Sequence, residues 1–205
     1  MANLYFRYAA MNAGKSGILL LAAHNYVERG MVPLLFTAEI DTRYGQGVIT
    51  TRLGIQREAN TFNASTVFDL DLIVKLAPNV ACIFIDEAQF LSREQVLQLH
   101  HLVHVHGVPV ICYGLRTDFR GEPFPGSTYL LALADEIEEL PTICGCGGKA
   151  RHNMRIDEHG KRVTEGKQIE IGGNDRYLAV CPKCWHLGVQ TSRRPGKGLV
   201  APEGR

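Results

Sequence analysis

Residues 9–16 read AAMNAGKS and directly follow the short apolar stretch NLYFRY at 3–8. Gly14, Lys15 and Ser16 match the end of a phosphate-binding loop, whose strict form is Gly, four residues, Gly, Lys and Ser or Thr. A loop between a strand and a helix N-terminus directs several N–H groups into one hollow, and the helix dipole favours an anion there. Lys15 can reach the β- and γ-phosphates of a nucleotide, and the Ser16 hydroxyl can bind Mg²⁺. A GKS tripeptide also arises by chance at helix starts; the strand before it and the helix after it favour the phosphate loop.

A second group with chemistry is Asp86-Glu87, at the end of the apolar run VACIFI at 80–85. Carboxylates at the C-terminal end of a parallel strand face the crevice where ligands sit. Asp86 can bind Mg²⁺ directly or through its waters, and Glu87 can orient or deprotonate a nucleophile. The competing reading is that both acids merely cap the helix that follows. Paired with Lys15 and Ser16, they point to phosphoryl transfer.

The third group is Cys144 and Cys146, a C-x-C pair, with Cys181 and Cys184, a C-x₂-C pair. Two close pairs on either side of residues 147–180 can supply a tetrahedral Cys₄ zinc site. Four thiolates close such a site, so its expected role is structural. Cys82 and Cys112 lie inside apolar strands and read as core residues. His100, His101, His104 and His106 crowd one segment, and His100 and His104 are one helical turn apart. The H-E-x-x-H arrangement is absent, so a solvated helix face is expected there.

The elements that must position these groups alternate. A strand is expected at 3–8 and a helix from Lys15 to Gly30, with Ile18, Leu19, Leu21, Ala22 and Tyr26 able to cover one face. Strands follow at 32–37, 80–85 and 108–113, with helices at 67–76 and 93–105. The polar stretch 41–66 reads as a long, mobile loop over the active face. Alternating strands and helices imply an α/β fold on a parallel sheet with right-handed crossovers. Residues 1–140 then form a P-loop nucleotide-binding domain. Residues 141–191 form a zinc-binding domain too poor in apolar residues to hold itself together by burial alone. Residues 192–205 (SRRPGKGLVAPEGR) read as a disordered tail.

Composition excludes several classes. The 22 Lys and Arg balance 21 Asp and Glu, giving a net charge of +1. No global field therefore draws the chain to nucleic acid or an anionic membrane. No apolar run approaches the roughly 20 residues that span a bilayer, and the first residues lack a secretory pattern. The expected compartment is the cytoplasm, where thiols stay reduced.

Taken together, YAAMNAGKS, TAEIDTRYG, FIDEAQFL, CYGLRTDFRGEPFPGS, the cysteine pairs and IGGNDRY before Cys181 resemble the type II (cellular and bacterial) thymidine kinase family. The resemblance covers nearly the whole chain. It implies a RecA-like P-loop domain and a small zinc domain carrying a loop that closes over the nucleoside. It implies transfer of the γ-phosphate of ATP to the 5′-hydroxyl of thymidine with Mg²⁺, in nucleotide salvage for DNA synthesis. Homotetramers and feedback inhibition by dTTP are usual in the family. By position, the resemblance implies ATP contacts from Ala9, Ala10, Met11, Asn12, Ala13, Gly14, Lys15 and Ser16, and from Asp86, Glu87, Ala88 and Gln89. It makes Glu87 the general base. It puts Met11, Phe90, Leu115, Phe119 and Tyr177 around the thymidine and backbone near Ile171, Gly172 and Gly173 on the base. Asp41 and Arg43 match a pair near the phosphates and Mg²⁺.

The residues themselves leave some of this open. Phe90 and Phe119 follow strand ends and could stack on a flat base or simply pack in the core. Gly172-Gly173 could admit a ligand to the backbone or form an ordinary turn. Tyr177 could be a strand residue of the zinc module. Two departures stand out: Ala9 replaces the usual Gly or Ser, and Gly17 stands where Thr or Ser commonly follows the motif Ser. The first suggests a loop whose first residue needs no positive φ. Rival readings are a kinase for another deoxynucleoside, and a zinc-bearing P-loop ATPase switch or nucleic-acid-binding RecA-like module. Against the latter stands the lack of a basic stripe with interleaved aromatics.

Overall fold

The computed structural model describes residues 1–43, 45–169 and 176–188. In chain order the elements are β1 (Leu4–Tyr8), α1 (Lys15–Glu28), β2 (Val32–Ala38), β3 (Val48–Thr50), β4 (Gln56–Glu58) and β5 (Asn60–Phe62). Next come α2 (Leu70–Leu76), β6 (Val80–Ile85), a 3₁₀ turn (Ala88–Phe90), α3 (Arg93–His106), β7 (Val110–Gly114), α4 (Pro125–Leu133) and β8 (Glu136–Glu139). The last are β9 (His152–Ile156), β10 (Arg162–Val163), β11 (Tyr177–Val180) and α5 (Pro182–Leu187).

Six strands form one parallel sheet in the order β5-β2-β6-β7-β1-β8. Strand periodicity sorts its residues between two hydrophobic layers. Leu4, Phe6, Leu34, Phe36, Ile83, Ile85, Val110 and Cys112 face a core closed by α2, α3 and α4. Tyr5, Leu35, Cys82, Phe84, Ile111 and Tyr113 face the layer closed by Leu19, Leu20 and Ala23 of α1. The strands therefore read as unbroken apolar runs because both faces are covered. Cys82 and Cys112 are fully buried, and burial pushes the Cys82 thiol up to about 12. Both are core residues, as the sequence implies.

Three details differ from the sequence reading. Residues 41–66 are not one long loop: β3 and β4 make an antiparallel hairpin, and β5 extends the main sheet beside β2. Three-residue strands are too short for their period to show, but Ile49 and Phe62 are fully buried and anchor them. In α1, Leu19, Leu20 and Ala23 turn inward, while Ile18 and Leu21 are exposed. Every position from 18 to 23 is apolar, so the sequence cannot say which stripe wins. Finally, the structure adds α4 and β8 beyond the expected elements. The strand EIEE carries three glutamates because it is an edge strand, paired on one side only, with β1.

Beyond Leu140 the chain forms a three-stranded antiparallel sheet, β10-β9-β11, followed by α5. Its own hydrophobic cluster consists of Ala150, Met154 and Val180 with three of the cysteines. The histidine segment lies on α3, with His101, His104 and His106 exposed. His104 Nε2 lies 3.2 Å from Asp135 Oδ2, and the segment is a largely solvated helix face. The tail 192–205 lies outside the described residues.

Candidate functional site

The phosphate loop runs from the end of β1 to the start of α1. Gly14 at φ 76° is the N-cap and makes no side-chain cap hydrogen bond, so the first N–H groups of α1 remain for an anion. Asn12 is also left-handed, at φ 67°. Ala9 is not: its φ is ordinary and its methyl is buried beneath the loop, which accounts for the missing glycine. Gly17 borders the cleft beside Thr51, whose methyl would lie 3.7 Å from an added Cβ. Lys15 is buried, its Nζ 3.3 Å from the Ala10 carbonyl. Burial lowers its pKa, and Glu87 and Asp86 partly offset that.

Asp86 follows β6, and its Oδ2 accepts a 2.8 Å hydrogen bond from the Ser16 hydroxyl. Burial, with Glu87 beside it, raises the Asp86 carboxyl well above the usual carboxylate range. A buried carboxylate and a hydroxyl in contact form an oxygen-only donor set at the mouth of a phosphate loop, which fits a hard divalent cation.

Glu87 itself stands at φ 54°, ψ 37°. A non-glycine residue there costs roughly 1 kcal/mol or more and persists only where its surroundings impose it. Those surroundings are visible. Arg43 Nη2 donates to Glu87 Oε1 at 2.5 Å, while the same guanidinium forks onto Asp41 through two 2.7 Å bonds. These two carboxylates raise the Arg43 pKa, against the opposing effect of burial. On the other side Gln89 Nε2 donates to Glu87 Oε2 at 2.5 Å, and Gln89 Oε1 accepts from the Leu115 N–H at 2.9 Å. Gln89 therefore braces Glu87 against the end of β7.

The 3₁₀ turn that carries Gln89 is seated on α4. A Cβ on Gly126 would fall 2.5 Å from the Ala88 carbonyl oxygen and 2.8 Å from that of Leu91. No side chain fits without moving the backbone that sets Glu87. Gly126→Ala is expected to destabilise the fold by about 1–3 kcal/mol and also to lower kcat in the molecules that remain folded. Denaturant unfolding beside active-site-titrated kinetics checks this: a kcat unchanged per folded molecule would mean that the turn is not what aligns Glu87.

Two clefts meet at these residues. The larger is bordered by Gly14, Lys15, Ser16, Asp86, and Thr50 to Leu53 at the β3–β4 hairpin. The smaller is bordered by Gln89, Phe90, Phe119, Phe124, Asn153 and Tyr177. Met11, Asp41, Arg43, Glu87 and Leu115 border both. Phe90 packs edge-on against Phe124 at 5.9 Å and partly against the main core, so it is both a core residue and a wall residue. Phe119 is 1% exposed, with the Arg155 guanidinium 5.2 Å from its ring centre. Tyr177 opens β11 and reaches the same cleft.

Most residues that the sequence singles out thus come together. Ala9, Ala10, Ala13 and Ala88 border neither cleft: Ala9 and Ala13 pack against the layer closed by α1, Ala10 is buried, and Ala88 is buried in the main core. Gln89 borders the smaller cleft, not the larger. Ile171, Gly172 and Gly173 lie outside the described residues. Sequence reasoning missed Asn153, whose Oδ1 accepts from the Met11 N–H at 2.8 Å and ties β9 to the phosphate loop. It also missed Asp118, which closes the turn behind Phe119 by accepting from the N–H groups of Arg120 and Glu122. The motif D-F-R-G is a usable signal for the second; nothing in the sequence marks the first.

The four cysteine sulphurs of Cys144, Cys146, Cys181 and Cys184 lie within 4.8 Å of one another. Cys146 Sγ and Cys181 Sγ are 3.6 Å apart, near the roughly 3.8 Å edge of a tetrahedron with 2.3 Å metal–sulphur bonds. The set fits one tetrahedral metal ion. Gly147, at φ 89°, allows the tight turn between the first pair and β9.

A family model described as thymidine kinase matches residues 2–185. The chain is 58% identical over 187 residues to a thymidine kinase of Albidiferax ferrireducens, covering 91% of this chain and 93% of that one. It is 55% identical to that of Chromobacterium violaceum, covering 91% and 99%. With that of Legionella pneumophila strain Lens it shares 54% identity over 201 residues, covering 97% and 96%. With a parallel α/β sheet, a phosphate loop, a braced glutamate and a cysteine tetrad in its structure, this chain belongs to the thymidine kinase family.

Proposed function

We propose that the chain phosphorylates thymidine at its 5′-hydroxyl with ATP as donor, the ATP lying in the larger cleft and the nucleoside in the smaller. The observation that carries this reading is Glu87, which borders both clefts and is held from two sides. A phosphoryl donor and an acceptor hydroxyl must meet in line, and Glu87 occupies that junction as the general base. The loop N–H groups and Lys15 hold the triphosphate. Ser16 and Asp86 would hold Mg²⁺, which supplies charge neutralisation across the phosphates when bound. Arg43, between Asp41 and Glu87, is positioned to exchange a carboxylate for a phosphate oxygen as the donor arrives.

Met11, Leu115, Phe90, Phe119 and Tyr177 form the apolar walls for a flat base and its sugar. Residues 1–140 act as the catalytic domain and 141–191 as a module held by Zn²⁺ on the four cysteines. A homotetramer, feedback inhibition by dTTP and a cytoplasmic location complete the reading. No helix among the described residues is long and apolar enough to cross a membrane.

The test is ATP with a panel of nucleosides, scored by which monophosphate forms. Thymidine monophosphate is the expected product. Phosphorylation of another deoxynucleoside in preference to thymidine would reassign the acceptor. ATP hydrolysis stimulated by single-stranded DNA, with no nucleotide product, would overturn the kinase reading.

A further inference from the structure

Resting on the thymidine kinase reading above, we propose that Trp185 is a positioning residue that couples the four-cysteine cluster to the aromatic wall of the acceptor cleft. Trp185 follows Cys184 in α5, and its backbone N–H donates to the Cys181 carbonyl at 2.9 Å. Its side chain lies between the module and the Asp118–Gly121 turn. The indole Nε1 donates to the Phe119 carbonyl at 3.1 Å, across 66 residues of sequence. That carbonyl belongs to the Asp118–Gly121 turn, whose Phe119 ring walls the cleft.

Further contacts hold the partly buried indole. His152 stacks on it at 4.9 Å and 24°. The Arg162 guanidinium lies 4.3 Å from the ring centre, and its Nη1 donates back to the Trp185 carbonyl. Gly121, at φ 91°, admits the far edge of the indole: an added Cβ would sit 3.4 Å from Cη2. His152 precedes Asn153, the residue bonded to the Met11 N–H. One indole therefore buttresses both the Phe119 turn and the strand that ties down Met11. Both residues border the acceptor cleft, whereas Trp185 does not.

The consequence is that acceptor affinity depends on the order of α5, and α5 is ordered by its cysteines. When Cys181 and Cys184 are held by one ion, the indole is fixed and the Phe119 turn is preset. When they are not, the cleft must spend acceptor binding energy on ordering that wall, which raises KM for the nucleoside and leaves the donor side alone.

The experiment uses the full chain with zinc bound, and the substitution Trp185→Phe. Phenylalanine keeps the stack and removes the indole N–H. The expected result is an increase of about fivefold in KM for thymidine, with kcat, KM for ATP and zinc content each within twofold of the parent. A purely structural role would lower kcat through loss of folded enzyme and would not move KM. Trp185 is the single tryptophan of the chain, so the parent protein offers a second measurement that needs no variant. Thymidine is expected to shift the indole emission with a midpoint that rises when zinc is removed by a chelator. KM unchanged in a zinc-loaded Trp185→Phe variant, or an emission indifferent to thymidine in the parent, overturns the coupling. If the parent phosphorylates no nucleoside, the kinase reading itself falls and the coupling falls with it. Normal turnover in the parent with an indistinguishable variant rejects the coupling alone.

Discussion

Glu87→Gln is expected to lower kcat by about 10²- to 10⁴-fold, the usual contribution of a positioned general base, while ATP binding stays within a few-fold of the parent. The amide is nearly isosteric with the carboxylate, so it can occupy the same left-handed backbone position. It cannot accept a proton from the acceptor hydroxyl. Its one oxygen can still accept from Arg43 or from Gln89, and Arg43 keeps its two bonds to Asp41 in either case. The donor cleft therefore retains Lys15, Ser16, Asp86 and the loop N–H groups unchanged. Steady-state kinetics beside direct ATP binding makes the separation visible. A kcat near that of the parent would mean that some other group takes the proton.

The second large effect concerns the cysteine tetrad. Cys181→Ala is expected to abolish stoichiometric zinc binding and to unfold the segment that follows Leu140, while the six-stranded sheet still unfolds cooperatively. Cys181 is both one of the four candidate metal ligands and the N-cap of α5, where its Sγ accepts from the Cys184 N–H at 3.5 Å. Among the described residues, the local hydrophobic cluster has, apart from cysteines, only Ala150, Met154 and Val180 as buried members. Burying a side chain such as Met or Val fully stabilises by roughly 1.5–3 kcal/mol, whereas a structural zinc site contributes apparent values of about 10–16 kcal/mol in zinc-finger peptides. On the zinc reading, the ion contributes more to holding this segment than the apolar contacts do. Limited proteolysis and hydrogen exchange read the result: protection should fall in β9, β11 and α5 and persist in β1, β6 and β7. Unchanged protection beyond Leu140 in a metal-free Cys181→Ala protein would reject a zinc-held module.

These two substitutions also separate donor chemistry from acceptor geometry. Glu87 borders both clefts and is braced from the main sheet side through Gln89 and Leu115. The cysteine tetrad touches neither cleft directly and reaches the acceptor side through Trp185, Asn153 and Tyr177. Loss of the tetrad should therefore weaken nucleoside binding more than ATP binding.

The sequence by itself determined the alternation of strands and helices, the phosphate loop, the acidic pair and the cysteine tetrad. These are local signals. A strand buried on both faces must be apolar throughout, as in VACIFI. A phosphate loop must be glycine- and lysine-bearing at a fixed spacing, and two close cysteine pairs mark a candidate metal site even when far apart in the chain. Where the signal was too short or too uniform, the sequence was mute. The strands β3, β4 and β5 hid in a polar stretch, and β8 hid under its glutamates because an edge strand has one side in water. The buried stripe of α1 could not be chosen from a run of six apolar residues.

Only the tertiary structure decided how the groups act on one another. Glu87 is left-handed because Gly126 of α4 lets the 88–91 turn settle against it, Arg43 from beyond β2 pulls one oxygen, and Gln89 pulls the other. Asn153 reaches Met11 from 142 residues away, and Trp185 reaches Phe119 from 66. Such contacts depend on the rotation and register of packed elements. A single chain read in order carries no trace of them until the sheet brings its strand ends to one edge.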